Sequence, residues 1–198
     1  MPRSIARARS DFFTRAGFAS DGGYQDLVAE AEFAGLPYQV HNGPMRREAL
    51  RIHDLHHLVT VFATDWKGEA EISAWELGSG GGGRHLYAWN IALWGLFTGL
   101  LAIPIRTWRA FQQGRMRSNL YVADVDVDAL LPEPEQALQA LTQGRANWLP
   151  DAAIFGLFSL LALTWGVLAS LVVPLFALRS ALTRACSCPM ACGSMALS

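Results

Sequence analysis

The chain has little sulphur, almost no lysine and few charges. Its three cysteines, Cys186, Cys188 and Cys192, all fall within the last thirteen residues. An odd number confined to one end excludes a disulfide framework for the body. With no histidine nearby, they read as free thiols in a frayed tail rather than a metal site. Lys67 is the one lysine among 16 basic residues, and these face 17 acids for a net charge of −1. That balance excludes a broad nucleic-acid footprint, so no nucleic acid is expected as a partner. The N-terminal stretch does not read as a secretory signal. The first seventeen residues carry Arg3, Arg7, Arg9 and Arg15 but no apolar core. Three readings of this start stay open: a mitochondrial transit peptide, a basic helix on anionic lipid, or a disordered basic arm.

Period-two alternation is scarce as well, Tyr121 to Val127 being the one stretch that approaches it. The expected fold class is therefore all-α. A first helix is expected over 24–35, a loop at Pro37 and Asn42-Gly43-Pro44, and helices over Arg46–Phe62 and Asp65–Leu77. The run Gly78-Ser79-Gly80-Gly81-Gly82-Gly83 reads as a flexible linker, since no preceding strand or following Lys-Ser/Thr supports a phosphate loop. His85, just after it, reads as a surface histidine. Pro134 is expected to open a short helix that Gly144 ends.

What the chain has in excess is apolar surface: 52% hydrophobic against 17% charged residues. The excess sits in two runs. Leu86 to Ile105 has no charge and carries Gly95-x-x-x-Gly99, which permits close helix approach. Trp89, Asn90, Trp94 and Thr98 give it a partly polar side, so it reads as a cavity-lining or membrane-resting helix. Ala152 to Leu178 is 27 residues without a charge. As a helix it would be ~40 Å long, more than the ~30 Å hydrocarbon core requires. It is expected to be a transmembrane or deeply inserted helix, bent near Pro174. Arg179 and Arg184 favour its C-terminal side inside, whereas Arg106 to Arg117 favour the central segment inside. The basic, aromatic stretch Arg106–Arg117, with Arg109 beside the apolar run, suits a lipid headgroup or a substrate carboxylate.

Chemistry concentrates elsewhere, in His53-Asp54-Leu55-His56-His57 followed by eleven residues and Glu69. Three of the five histidines are here, and imidazole with carboxylate suits zinc, iron or manganese. His53 and His57 share a helix face; Asp54 borders it, about 100° round, and His56 points elsewhere. On one straight helix Glu69 would lie ~18 Å from His57. A break at Ala63-Thr64-Asp65, with Thr64 or Asp65 capping a second helix, reflects Glu69 back opposite His57. The face then continues through Ser73 and Glu76. The plainer alternative is a set of polar residues on an exposed helix face. The motif is not His-Glu-x-x-His, so the general base of a zincin protease is missing from its usual place.

His-Asp-x-x-His, eleven residues, then Glu resembles the signature of the coenzyme Q biosynthesis protein 4 family. Residues 52–77 resemble that family's core hairpin. Ala110–Arg115, Val125–Leu131 and Pro134–Leu138 resemble its later helices, so that the resemblance covers roughly residues 30–143. Departures are the glycine-rich run, the lack of a basic residue near 139, and the apolar tail. The resemblance implies an all-helical, membrane-associated protein of ubiquinone biosynthesis that binds a divalent metal and a polyprenyl lipid. It implies His53, Asp54, His57 and Glu69 as metal ligands and catalytic site. It implies removal of the carboxyl group at carbon one of a polyprenylated hydroxybenzoate, with hydroxylation there.

Three domains are therefore expected: a basic arm (1–23), a helical metal- and lipid-binding domain (24–149), and a membrane segment with its Cys-containing tail (150–198). The expected activity is that of a metal-dependent decarboxylase of quinone synthesis, with zinc as cofactor, or iron if dioxygen reacts at the site. Arg109, Trp94 and Glu76 are the candidate substrate or lipid contacts, and Glu76 or His56 the candidate proton carrier. Expected partners are the polyprenylated quinone precursor, membrane lipid and other quinone-synthesis enzymes, with a second copy of the chain as a further candidate. The expected location is the cytoplasmic face of a bacterial inner membrane, or the matrix side of the mitochondrial inner membrane. The rival readings are a non-catalytic lipid-binding scaffold and a metal-dependent lipid phosphate hydrolase.

Overall fold

The structure, a computed structural model, describes residues 2–33, 36–144 and 149–186. Among these residues eight helices and one two-stranded hairpin form. Helix α1 (Ile5–Ala16) starts at Ser4, whose side chain accepts from the Arg7 N–H, and stops at Gly17 in the left-handed conformation. It buries Ile5, Ala8, Phe12 and Phe13 against the body. The Ile5 N–H donates to the Glu133 carbonyl (2.9 Å), and Arg3 holds Glu135. The basic start is thus a docked amphipathic helix.

The helix expected over 24–35 does not form. Tyr24 sits buried in a turn, and β1 (Val28–Phe33) pairs antiparallel with β2 (Leu36–His41), Val28 opposite His41 and Phe33 opposite Leu36. Residues 34 and 35 lie outside the described residues. The helical spacing of apolar residues gave way to a hairpin that pairs its own backbone groups, an outcome that short apolar segments leave open. Tyr121–Asp124 is a turn rather than a strand, and Asp126 caps the short helix α6 (Val127–Leu130) that follows.

The central hairpin is α2 (Pro44–Thr60) and α3 (Trp66–Gly78). Pro44 opens α2 and Asp65 caps α3 by accepting from the Gly68 N–H (2.8 Å). Helix α3 is buried nearly all round, under α4 (Leu86–Ala102) and α5 (Pro104–Arg115). The Gly95/Gly99 notch is what lets α4 settle on α3. A Cβ on Gly95 would stand 2.0 Å from Ser73 Oγ, and one on Gly99 3.1 Å from Ala70 Cβ.

Between α3 and α4 the glycine-rich run is a tight buried turn and not a flexible linker. Gly81 and Gly83 have φ of 75° and 53°, and a Cβ on Gly81 would strike the Trp89 ring at 2.1 Å. Buried Asn119 pins the turn, donating to the Glu76 and Gly81 carbonyls. His85 is buried too, its ring 5.4 Å from that of Tyr121, and is not a surface residue.

Helix α7 (Gln136–Leu141) closes the body, and α8 (Asp151–Cys186) leaves it. The first turns of α8 belong to the core: Ile154, Phe155, Phe158 and Ala162 pack on α4 and α5. Arg115, itself buried, donates to Asp151 Oδ1 (2.9 Å) and the Leu149 carbonyl (2.8 Å). On the outer face of those turns Leu157 and Leu160 are exposed, and further along so are Val167, Leu168 and Leu171. Asp151–Val172, with mean hydropathy 2.1, is long and apolar enough to cross a membrane, whereas α4 at 17 residues is shorter. The tail thiols Cys188 and Cys192 lie outside the described residues, as does the side chain of Cys186.

Candidate metal centre

Helix α2 ends at Val61, which adopts φ 60°, a left-handed conformation that β-branched residues rarely take. This sharp reversal turns the Phe62 carbonyl back toward the helix, where it lies 3.0 Å from His57 Nδ1. A carbonyl only accepts, so Nδ1 is the donor and Nε2 is turned inward. The Phe12 ring stacks on the imidazole at 5.4 Å, and the His53 ring meets it edge-on at 5.0 Å. The local strain and the packing together fix the ring.

His53 is fixed by a different partner. Its Nδ1 lies 2.8 Å from Oε1 of Glu76, a fully buried carboxylate one hairpin arm away. The same Oε1 lies 2.7 Å from His56 Nδ1. The Leu120 N–H donates to His56 Nε2 (3.0 Å), which makes that nitrogen the acceptor and Nδ1 the donor to Glu76. His56 does point away from the His53/His57 face, yet into the core and not to solvent.

Glu69, in the first turn of α3, meets both rings. Its Oε2 is 3.1 Å from His53 Nε2 and its Oε1 is 3.3 Å from His57 Nε2. One ligand atom from each of His53, His57 and Glu69 falls within 4.8 Å of the others, so the group could bind a metal ion. The chemistry of the donor set fits one. His57 Nε2 is buried without a hydrogen-bond partner, facing a carboxylate oxygen. Each ring has its second nitrogen engaged, by Glu76 or by Phe62, as metal-ligating histidines usually do.

Electrostatics agree. Burial alone would lower the His53 pKa, but the Glu76 charge and hydrogen bonds to Glu69 and Glu76 carry it well above its ordinary value. Burial likewise pushes Glu69 and Glu76 up. The neighbouring His53 and His57 imidazoles outweigh it for Glu69, and the His53 charge with bonds from His53 and His56 does so for Glu76, leaving both at about 2. Two anions around one imidazole make a site that attracts a cation, whether a proton or a metal.

Asp54 stands outside this triad. Its Oδ2 accepts from the Tyr24 hydroxyl, and burial raises its pKa against the pull of His53. It does line the cavity of about 880 Å³ onto which His53 and Glu69 open. The opposite wall is the apolar α4, through Ile91, Trp94, Gly95 and Thr98. Trp94, a candidate substrate or lipid contact, lines the cavity. Arg109 does not: it is exposed on α5, outside the cavity lining. Neighbouring Arg106 is spent on Glu71. Glu76 is also withdrawn from any substrate, since it is 0% exposed behind His53.

Two residues of the site went unread in the sequence. Tyr24 fell in a stretch read as helix. Arg46 lines the cavity from the first turn of α2. Tracing the His53 face backwards in steps of three and four, through Leu50 to Arg46, would have found it. No protein family profile matches the chain, and no curated protein or solved structure matches it either.

Proposed function

We propose that this protein is a metal-dependent enzyme of ubiquinone-type quinone synthesis, acting at a membrane on a polyprenylated hydroxybenzoate. The observation that carries the reading is one juxtaposition. His53 and Glu69 of the His53/His57/Glu69 group open on a cavity of about 880 Å³ whose far wall is the apolar face of α4, and α4 packs along the membrane-length helix α8. A polar ring and an apolar tail have a place each in such a cavity. The resemblance of His53-Asp54-x-x-His57, eleven residues and Glu69 to the coenzyme Q biosynthesis protein 4 signature supports the same substrate class.

His53, His57 and Glu69 would hold the metal, with Asp54 beside them rather than among them. When bound, the metal supplies Lewis acidity toward a ring carboxylate or phenolate, and iron in place of zinc adds redox chemistry. Glu76 keeps the His53 ring in the tautomer that leaves Nε2 free. Tyr24 holds Asp54 at the cavity edge, where its carboxyl takes or returns a proton. Ile91 and Trp94 exclude water from the tail. Replacing a carboxyl group by hydroxyl is a two-electron oxidation that needs an oxidant such as dioxygen, whereas loss of carbon dioxide alone needs a proton in its place. Which membrane face carries the body follows from the same reading: the cytoplasmic side, or the matrix side in a mitochondrion.

The test uses cells whose only copy carries Glu69→Gln, which keeps shape and removes a ligand charge. An enzyme accumulates the still-carboxylated precursor at normal protein level. A scaffold makes quinone normally as long as the protein is present. Lipid extracts by mass spectrometry, beside an immunoblot, decide it; normal quinone with no precursor would remove the catalytic reading.

A further inference from the structure

We infer that Arg46 is the oxyanion anchor of the cavity, the residue that selects a ligand bearing a carboxylate or phosphate over its neutral counterpart. The inference deepens the proposed function and rests on that reading for the choice of ring acid. Its own ground is the guanidinium. Elsewhere the chain shows how its arginines hold carboxylates. Arg3 meets Glu135 through Nε (2.8 Å) and Nη2, and Arg106 meets Glu71 through Nε (2.9 Å) and Nη2 (2.6 Å). Both use the same planar edge, which matches a carboxylate in bidentate fashion.

Arg46, which lines the cavity, makes no hydrogen bond through its Nε. Its Nη1 donates to Asn42 Oδ1 (2.8 Å), and Asn42 is itself 1% exposed and tied to the Gly23 and Asp26 carbonyls (3.1 and 2.9 Å). The guanidinium is therefore held from behind. Its Nε is buried without a hydrogen-bond partner, and among the described residues Arg46 has no ion pair, although Glu30 lines the same cavity. A buried, unpartnered N–H of a charged group is costly, and a ligand oxyanion would satisfy it.

Position adds a second argument. Arg46 stands in the first turn of a 17-residue helix that has no acid there and no side-chain cap. A cation at that end opposes the helix dipole, and an anion bound to it removes the conflict. Arg46 and His53 are two turns apart, ~10 Å along the axis, and line the same cavity. A ligand with its oxyanion on Arg46 and another oxygen toward the His53/His57/Glu69 group spans that length. Loss of the carboxyl group would then remove the group that Arg46 holds, and the product would leave.

The experiment uses the full chain in lipid nanodiscs, loaded with zinc, and three probes: 3-geranyl-4-hydroxybenzoate, its neutral counterpart 2-geranylphenol, and geranyl monophosphate. Binding is followed by calorimetry. Arg46→Gln is expected to weaken an anionic probe on the order of 10- to 100-fold while leaving 2-geranylphenol, zinc content and melting temperature unchanged. Arg46→Lys keeps the charge without the planar edge and should fall between. Loss confined to the monophosphate supports the anchor, names phosphate as its ligand and counts against the ring-acid reading. Equal binding of every probe by Arg46→Gln, or an equal loss of all three, overturns the anchor. His57→Ala separates the two proposals: zinc lost with the Arg46 preference intact sustains the anchor, while zinc fully retained removes the metal centre beneath it.

Discussion

Glu76 Oε1 lies 2.8 Å from His53 Nδ1, on the side of the ring away from Glu69. The bond decides which nitrogen faces the cavity. Glu76→Gln keeps volume but removes the charge that favours the Nδ1–H tautomer. Metal affinity is expected to fall ~10–100-fold with a small change in melting temperature. Glu76→Ala should cost ~1–3 kcal/mol of stability for each buried donor it strands. Metal analysis beside thermal unfolding separates the two. Equal metal content in wild type and Glu76→Gln would show that the tautomer is fixed by something else.

Glu69→Ala and His57→Ala are expected to lose metal to the same extent, because both present ligand atoms to one point. His56→Ala should behave differently. It leaves the Leu120 N–H without a partner in the core and takes from Glu76 one of its two imidazole partners, so it should destabilise by ~1–3 kcal/mol and lower metal affinity only indirectly. Elemental analysis at matched folding conditions checks this. Equal, direct metal loss in His56→Ala would contradict the helix phase.

The chelator-stripped protein should have a stability optimum in mild acid. Glu69 and Glu76 sit at about 2 in the folded state against an ordinary 4.5, so their contribution is full above 4.5 and is lost as pH falls toward 2. Glu76 carries most of this, since the Glu69 side chain is 42% exposed and screened by solvent. His53 runs the other way. Its raised pKa stabilises below 6.5 and is lost as pH rises through the folded value. Metal uptake, which displaces that proton, should strengthen with rising pH over the same range. Denaturant midpoints across pH, with and without metal, test both trends. A flat profile for the stripped protein would contradict the paired site.

Removing residues 150–198 should release the protein from membranes and also weaken the body. The deletion takes away Ile154, Phe155 and Phe158 from the core and leaves Arg115 buried without Asp151. Full burial of such a side chain is worth ~1.5–3 kcal/mol, and these partly buried ones contribute less each. A cut beyond Ala162 keeps those contacts and should melt close to the full chain. Flotation assays and thermal scans of the two truncations compare them. Full membrane partition by the shorter one would make α4 the anchor.

The metal hairpin was legible because its information is local. Spacing put His53 and His57 on one face, and Asp65 supplied the break that returns Glu69. The all-α class followed from the same periodicity. What escaped was set by distant partners. Glu76 looked like a cavity residue until His56 and His53 were seen to bury it. Tyr24 reaches Asp54 from a turn just ahead of the β1/β2 hairpin, in a stretch whose apolar spacing mimicked a helix. Arg109 looked available by composition, but the cavity lies on another side of α4.

The turn between α3 and α4 carries a practical lesson for anyone engineering this chain. By composition Gly78–Gly83 invites an epitope tag or a split site. The space at Gly81 and Gly82 belongs to the Trp89 side chain, and that at Gly83 to the Tyr121 carbonyl. An insertion there would pry apart the two helices that frame the cavity. The segment that looks most permissive is among the least tolerant of cargo.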